Sequence, residues 1–256
     1  MIDGDANQRA QLAASHTREQ IRERLSAKPR HSYLRDFVYG AIDGTVTTFA
    51  VVSGVGGAGL STGVVVVLGM ANLVADGFSM AVSNYLGTRT EQELREKARR
   101  NEEQHIRQFP EGEREEIRQI FVRKGFAGDD LERAVDIITA DAKRWVDTML
   151  TDELGLTLHG PSPLRAALVT MVAFVLVGLL PLLTFIYGFL GESEIAHPYL
   201  WSSLITGLTF FAIGTAKARF VQQGWLRSGM ETLLIGGAAA GLAFLVGVWL
   251  GGIADH

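Results

Sequence analysis

Long apolar segments alternate along the chain with short turns and with one long polar region. A helix of about 20 apolar residues crosses the roughly 30 Å hydrocarbon layer of a bilayer, because each residue adds about 1.5 Å. Five segments reach this length, so the pattern predicts an all-α membrane protein with five transmembrane helices. The five predicted spans are 37–58, 62–86, 164–190, 199–216 and 230–253.

The polar region between the second and third spans predicts an insert of three helices. The first continues directly out of the second span until Phe109-Pro110 interrupts it, because proline breaks a helix. The second covers EREEIRQIFVRKG and ends near Gly125. The third covers GDDLERAVDIITADAKRWVDTMLTDELGL, with Asp129 or Asp130 as its N-cap. Apolar residues at helical spacing predict a small shared core: Ile117, Ile120, Phe121, Leu131, Val135 and Ile138.

The basic residues are segregated. All 24 lysines and arginines lie in 1–35, 89–165 and 217–227, and more than half of the chain has none. Basic loops stay on the cytoplasmic side of a membrane, so these three segments are expected there. The expected order is an amphipathic cytoplasmic segment at 1–35, spans 1 and 2 at 36–88, a cytoplasmic helical insert at 89–162, and spans 3 to 5 at 163–256, with the C-terminus outside.

Composition excludes several classes of chemistry. The chain has no cysteine, so it has neither disulfides nor thiolate metal sites. Its polar amino-terminal segment lacks the apolar core of a signal peptide, which favours insertion by the spans themselves into a bacterial inner membrane. Neither a nucleotide-binding loop nor a nucleophile with a positioned base stands out. The sequence therefore predicts a protein that is not an enzyme, holds no prosthetic group and binds no nucleic acid.

Asp43 lies within the first predicted span, in YGAIDGTVTTFAVVSG. A charged side chain at the centre of a membrane helix costs about 2.5–3.5 kcal/mol, and such residues usually mark ion or proton pathways. The alternative is a structural carboxylate that is hydrogen-bonded to a neighbouring helix. We take Asp43 as a candidate residue of a translocation pathway.

A polar stripe follows one face of the second predicted span. Its members are spaced by four residues, which keeps them on one side of a helix. Carboxylate, amide and thioether groups together suit a partly dehydrated divalent cation, and the thioether favours transition metals over Mg²⁺ or Ca²⁺. A methionine alone would more often serve packing. The stripe consists of Asn72, Asp76, Met80 and Asn84.

The insert carries carboxylate pairs at helical spacing. Such pairs usually belong to a solvated helix face, but a Glu-x-x-His pair also resembles half of a di-iron carboxylate motif. The pairs are Glu102 with His105, Glu113 with Glu116, and Met149 with Glu153.

The first two predicted spans resemble the vacuolar iron transporter family. The likeness is carried by RDFVYGAIDGTVTTFAVVSGVGGAG and LGMANLVADGFSMAVSNYLGTRTEQE, and it continues through EREEIRQIFVRKGF and DELGL to cover roughly 32–253. It implies a five-span homodimer with the pathway at the subunit interface. It also implies export of Fe²⁺, and often Mn²⁺, from the cytosol in exchange for protons. Asp43 and Met80 match the family's pathway residues. Residues that match its cytoplasmic metal site are Glu102, Glu113, Glu116, Met149 and Glu153.

Two positions depart from the family pattern. Asn84 stands where many relatives have a carboxylate, so either Asp43 or Asp76 is expected to carry protons or the proton coupling is altered. His105 stands where a glutamate is expected, which makes the insert site less anionic and better suited to Fe²⁺ or Zn²⁺.

Two other functions remain open. One is a metal sensor or scaffold that the spans only anchor, although an anchor has no need of carboxylates in lipid. The other is a channel-like carrier that prefers Mn²⁺ and is gated by the insert.

Overall fold

The protein is described here from a computed structural model, which covers residues 9, 12–26, 31–191, 195–221 and 223–254. All regular structure in these ranges is helical. The chain divides into two units, 1–32 and 33–256. The helices are α1 (Arg18–Ser26) in the first unit, then α2 (Leu34–Gly57), α3 (Thr62–Gln108), α4 (Pro110–Arg123), α5 (Gly128–Thr139), α6 (Ala142–Thr148), α7 (Pro163–Gly178), α8 (Leu183–Leu190), α9 (Pro198–Val221) and α10 (Trp225–Ala254).

The five predicted spans are confirmed. In the described part of the chain, five helical segments are long and apolar enough to cross a membrane. They are α2, α3, the α7–α8 pair, α9 and α10. Spans 2, 4 and 5 form helices longer than their apolar segments, because a helix can continue into water once it has left the hydrocarbon layer.

The third span is interrupted. A 3₁₀ turn, Leu180–Leu182, separates α7 from α8 and contains Pro181. Proline lacks the backbone N–H that would continue the α-helical ladder, so the helix changes geometry there. The Ser202 hydroxyl of α9 donates a hydrogen bond of 2.6 Å to the Pro181 carbonyl, which satisfies that acceptor inside the bundle.

Helix α2 lies at the centre of the bundle and contacts each of the other four spans. Small residues let its neighbours approach at backbone distance. A methyl group added at Gly44 would lie 2.4 Å from the Phe174 carbonyl oxygen of α7, and one added at Gly247 of α10 would lie 2.1 Å from the Gly54 carbonyl oxygen. The helix that carries Asp43 is therefore held tightly from two sides.

Substituting Gly44 with alanine is expected to destabilise the bundle by about 1–3 kcal/mol or more, as overpacking does in tight cores. The clash is with backbone, which cannot rotate away as a side chain can. A methyl at Gly241 of α10 meets no atom of the described residues within 4 Å, so Gly241→Ala is the matched control. Thermal unfolding in detergent should show a lower midpoint for Gly44→Ala than for Gly241→Ala. Equal midpoints would contradict this packing.

The insert departs from the prediction of three helices. The first two helices are as expected: α3 runs unbroken to Gln108, and Gly125 follows α4 with a φ of 93°. The predicted third helix is wrong as a single element, because it divides into α5, α6 and a π turn, Met149–Glu153. Asp141 caps α6 by accepting the Arg144 backbone N–H at 2.8 Å, which starts a new helix at that point.

The predicted N-cap of α5 is also wrong. Ala127 occupies that position, and Asp129 and Asp130 lie in the first turn. There their negative charges interact favourably with the positive end of the helix dipole, but their side chains do not cap the helix.

The predicted core of the insert is present. Ile117, Ile120 and Val135 are buried together with Trp145 and Met149, and Phe121, Leu131 and Ile138 pack around them. Ion pairs join the helices at the surface of this core, including Arg118 with Glu132 at 2.8 Å between α4 and α5. The insert is thus a packed helical body built on the extension of α3.

Candidate metal-binding and translocation sites

Three side chains of the insert converge on one point. Glu102 and His105 come from one face of α3, and Glu113 comes from the first turn of α4. Each offers a ligand atom, and these atoms lie within 4.8 Å of one another. The turn at Phe109-Pro110 produces this meeting, because it folds α4 back against the end of α3. Two carboxylates and an imidazole are suitable donors for a divalent transition metal.

The Glu113 carboxylate is unusual in its surroundings. The residue is 7% exposed, and no described residue makes a hydrogen bond to its buried Oε2 atom. His105 Nδ1 lies 3.5 Å from its other oxygen, Oε1. Burial, together with the charges of Glu116 and Glu102, raises the pKa of Glu113 to about 7. A buried carboxylate oxygen without a donor from the protein is compatible with protonation and with a bound cation.

Two further carboxylates belong to the same cluster. Glu116 and Glu153 both interact electrostatically with Glu113. Burial, followed by repulsion from Glu116 and Glu102, raises the pKa of Glu153. Burial likewise raises the pKa of Glu102, which lies on α3 far beyond the hydrocarbon layer. Repulsion among these carboxylates shows that negative charge is concentrated at the cluster.

Met149 is wholly buried among Ile117, Ile120 and Trp145. It begins the π turn that ends with Glu153. Isolated π turns are frequent at functional sites, because they reorient side chains that a regular α-helix would place elsewhere. The four-residue spacing of Met149 and Glu153 does not predict a π turn. The role of Met149 as a metal ligand stays a prediction.

The polar stripe of α3 divides into two pairs. All four residues are half-buried, so they lie at the border between the packed and open faces of the helix. In the first pair, the Asn72 amide donates a hydrogen bond to the Asp76 carboxylate. Asp76 also interacts electrostatically with Asp43 of α2. The structure therefore brings together the two membrane carboxylates that the sequence singled out.

Asp43 itself is half-buried, and the described residues supply its carboxylate with no hydrogen-bond donor. The alternative of a structural carboxylate bonded to a neighbouring helix therefore has no support among them. Two carboxylates within interaction range, in a setting that water cannot fully solvate, favour binding of a cation or a shared proton.

The second pair, Met80 and Asn84, lines a cavity of about 240 Å³ at the insert end of the bundle. The Asn84 amide donates to Asp36 of α2 at 2.8 Å and to the Thr170 hydroxyl of α7 at 2.7 Å. Met80 also packs against the apolar core of the bundle. The position of Met80 is therefore compatible both with packing in the bundle core and with a role in lining the cavity.

The sequence analysis missed Asp36 and Thr170 as members of this cavity. Asp36 lies two turns before Asp43 on nearly the same face of α2, and from the sequence its place at the membrane edge suggests a helix-start or interfacial charge rather than a cavity residue. Thr170 is 86 residues from Asn84 in sequence, and no local spacing connects them.

Comparisons of the sequence with known proteins give matches over most of the chain. The model of the VIT family matches residues 34–248. The chain is 35% identical over 224 residues to a protein of Toxoplasma gondii named vacuolar iron transporter, covering 84% of this chain and 73% of that protein. It is 31% identical to vacuolar iron transporter 1 of Arabidopsis thaliana, covering 82% and 83% of the two chains. It is 30% identical to vacuolar iron transporter 1 of rice, covering 92% and 91%.

Proposed function

The chain belongs to the VIT family, and we propose that it exports Fe²⁺ from the cytosol in exchange for protons. Membership makes it a multi-pass membrane protein that transports metal and is not an enzyme. The names of its relatives support iron as the transported ion. Mn²⁺ is a second substrate in this proposal, because the same oxygen and nitrogen donors accept it.

The observation that carries the proposal is the sharing of one helix by two groups of metal donors. Helix α3 holds Asp76 and Met80 within the membrane and Glu102 and His105 in the insert. Its 47 residues extend over about 70 Å, more than twice the hydrocarbon thickness of about 30 Å. The metal donors of the insert are therefore joined to those of the membrane by one continuous helix.

The insert is placed in the cytoplasm in this proposal. The positive-inside rule supports that side for 1–35, 89–165 and 217–227, which hold all lysines and arginines. The C-terminus then lies outside, and the membrane is a cell inner membrane. In this orientation the carboxylate cluster faces the cytosol, from which the protein would export metal.

The transporter acts as a homodimer in this proposal. The stripe residues lie at the edge of the packed face of α3, and Val74 and Phe78 beside them are 63% and 61% exposed. A second copy placed against this face would cover the stripe from its open side and exclude lipid from it. Metal would then pass between carboxylates and thioethers contributed by both subunits.

The proposed cycle has three steps. Glu102, His105 and Glu113 bind Fe²⁺, with Glu116 and Glu153 adding negative charge. The ion then moves past Met80 to Asp76 and Asp43. Protons entering from outside protonate the vacated aspartates, which lowers their affinity for metal. Release of these protons to the cytosol restores the carboxylates for the next ion. Asn84 cannot titrate, so these two aspartates carry the protons.

Reconstituted vesicles test the coupling. With the insert facing outward and an acidic lumen, Fe²⁺ uptake should increase and the lumen should become more alkaline. One pH unit supplies about 1.4 kcal/mol for each proton exchanged, which corresponds to about tenfold in metal accumulation. Fluorescent iron and pH indicators inside the vesicles would report both changes.

The outcomes separate the alternatives. Uptake that does not depend on the pH gradient and is faster for Mn²⁺ than for Fe²⁺ would contradict proton exchange. It would favour a channel-like carrier that is gated by the insert. Absence of uptake of Fe²⁺, Mn²⁺ and Zn²⁺, with metal still bound by the insert, would favour a membrane-anchored sensor.

A further inference from the structure

A groove lies where the insert joins the membrane bundle. One wall is α3, and the other is the segment 156–163 that leads into α7. The groove has a volume of about 460 Å³. Its polar lining includes Gln92, Arg95, Glu96, Arg99 and His159. None of these residues belongs to the metal cluster or to the stripe.

Arg95 is the distinctive residue of this groove. Its side chain is only 17% exposed, and its guanidinium lies against the backbone of Gly160, where an added methyl would be 2.1 Å from Nη2. Among the described residues its only ion-pair partner is Glu91, at 4.0 Å, whose side chain is 65% exposed. A largely buried guanidinium without a close anion is energetically unfavourable unless a ligand supplies one.

The other arginine of the groove is already paired, and the groove's one carboxylate, Glu96, has no ion-pair partner among the described residues. Arg99 is paired with Asp147, and Glu96 is exposed and accepts a hydrogen bond from Gln92 at 3.1 Å. His159 is exposed at the rim. Arg95 is therefore the cation that an anionic ligand would neutralise.

With the second and third spans placed in a bilayer, the groove lies at the level of the lipid headgroups. Its wall on α3 begins just beyond Arg89, the first basic residue after the second span, and its other wall ends at Pro163, where the third span begins. A second depression of about 350 Å³ shares Gln92, Glu96, Ser162 and Pro163 with it. That depression reaches Leu164, which is 60% exposed. The two together form a path from Arg95 to the apolar surface of the bundle.

We propose that this groove binds the phosphate of an anionic phospholipid from the leaflet on the insert side, with Arg95 as the phosphate-binding residue. Guanidinium matches phosphate geometry with paired hydrogen bonds. The glycerol and the first part of an acyl chain would follow the second depression to Leu164. Because the lipid would contact both α3 and 156–163, it would brace the insert against the spans. The inference is independent of the metal that the protein carries.

Native mass spectrometry of the full-length protein tests this binding. The probes are phosphatidylglycerol and phosphatidylcholine, added to delipidated protein in detergent. We expect preferential retention of phosphatidylglycerol, and at least about a tenfold loss of its affinity in Arg95→Gln. Arg107→Gln is the matched control, because Arg107 lies on the same helix with its side chain 73% exposed. Equal loss in both variants, or no loss in Arg95→Gln, would overturn the assignment.

A second measurement needs no variant. Hydrogen exchange of wild-type protein should show greater protection of 156–163 in phosphatidylglycerol nanodiscs than in phosphatidylcholine nanodiscs. Inorganic phosphate and glycerol 3-phosphate, added to the phosphatidylcholine sample, should not reproduce that protection. Equal protection in both lipids would refute the proposal, and full protection by soluble phosphate would replace the lipid with a free anion.

Discussion

Asp43→Asn is expected to reduce Fe²⁺ uptake by reconstituted protein at least about 100-fold, equivalent to about 2.7 kcal/mol of added barrier. The carboxylate lies half-buried in the central helix of the bundle and interacts with Asp76. An amide of nearly the same size preserves the packing but removes the negative charge. In the proposed pathway a partly dehydrated Fe²⁺ ion would then meet Asp76 without the charge of Asp43, and one of the two groups proposed to carry protons would be lost as well.

The control is Glu231→Gln, which makes the same chemical change in α10. Glu231 is exposed and lies outside the polar stripe. Its variant should transport at close to the wild-type rate. Both variants should retain metal binding at the insert, which separates a block in the membrane from a failure of capture. Transport by Asp43→Asn within a few-fold of wild type would exclude Asp43 from the pathway.

The spans could be predicted from the sequence because lipid imposes a simple constraint on composition. Each membrane helix needs a long apolar run, and lysine and arginine are excluded from it. The extension of the second span could also be predicted, since nothing between Gly87 and Phe109 interrupts a helix. The bundle's centre could not be predicted this way. Gly44 and Gly247 become informative only when their contacts with Phe174 and Gly54 are known.

The candidate sites could likewise be predicted only in part from the sequence. Spacing of three or four residues placed Glu102 beside His105 and Asn72 beside Asp76, because helical geometry is local. Spacing cannot predict that α4 folds back to bring Glu113 to His105, or that Asn84 meets Thr170 of α7. The division of the predicted third helix depends on Asp141, a cap that has no distinctive pattern within a helix-forming sequence.

Glu113→Gln is expected to weaken metal binding at the insert at least about 100-fold. Loss of an outer-shell partner of a metal ligand typically costs about 10–100-fold in affinity, and Glu113 is proposed as a ligand itself. The glutamine keeps the volume of the buried side chain but cannot provide the second anionic donor beside Glu102 and His105. Isothermal titration of the full-length protein with Mn²⁺, which avoids oxidation, would measure the change.

The pH dependence of binding provides a second signature of the same residue. The raised pKa of Glu113, about 7, means that folding favours its protonated form, and this contribution to the stability of the metal-free insert is lost as pH rises from about 4.5 through 7. A metal must displace that proton, so wild-type affinity should rise steeply between about pH 5 and 7, with proton release on binding. Glu113→Gln should show a shallower rise over this interval, because Glu102 and Glu153 remain.

Glu111→Gln makes the same change two residues earlier on α4, where the side chain is exposed. It should leave both the affinity and its pH profile near those of wild type. A parallel fall in both variants would mean that general charge, rather than a ligand, attracts the metal. An unchanged affinity in Glu113→Gln, with the helical content of the protein preserved, would remove Glu113 from the site. Capture at the insert would then rest on the other members of the cluster, which are Glu102, His105, Glu116 and Glu153.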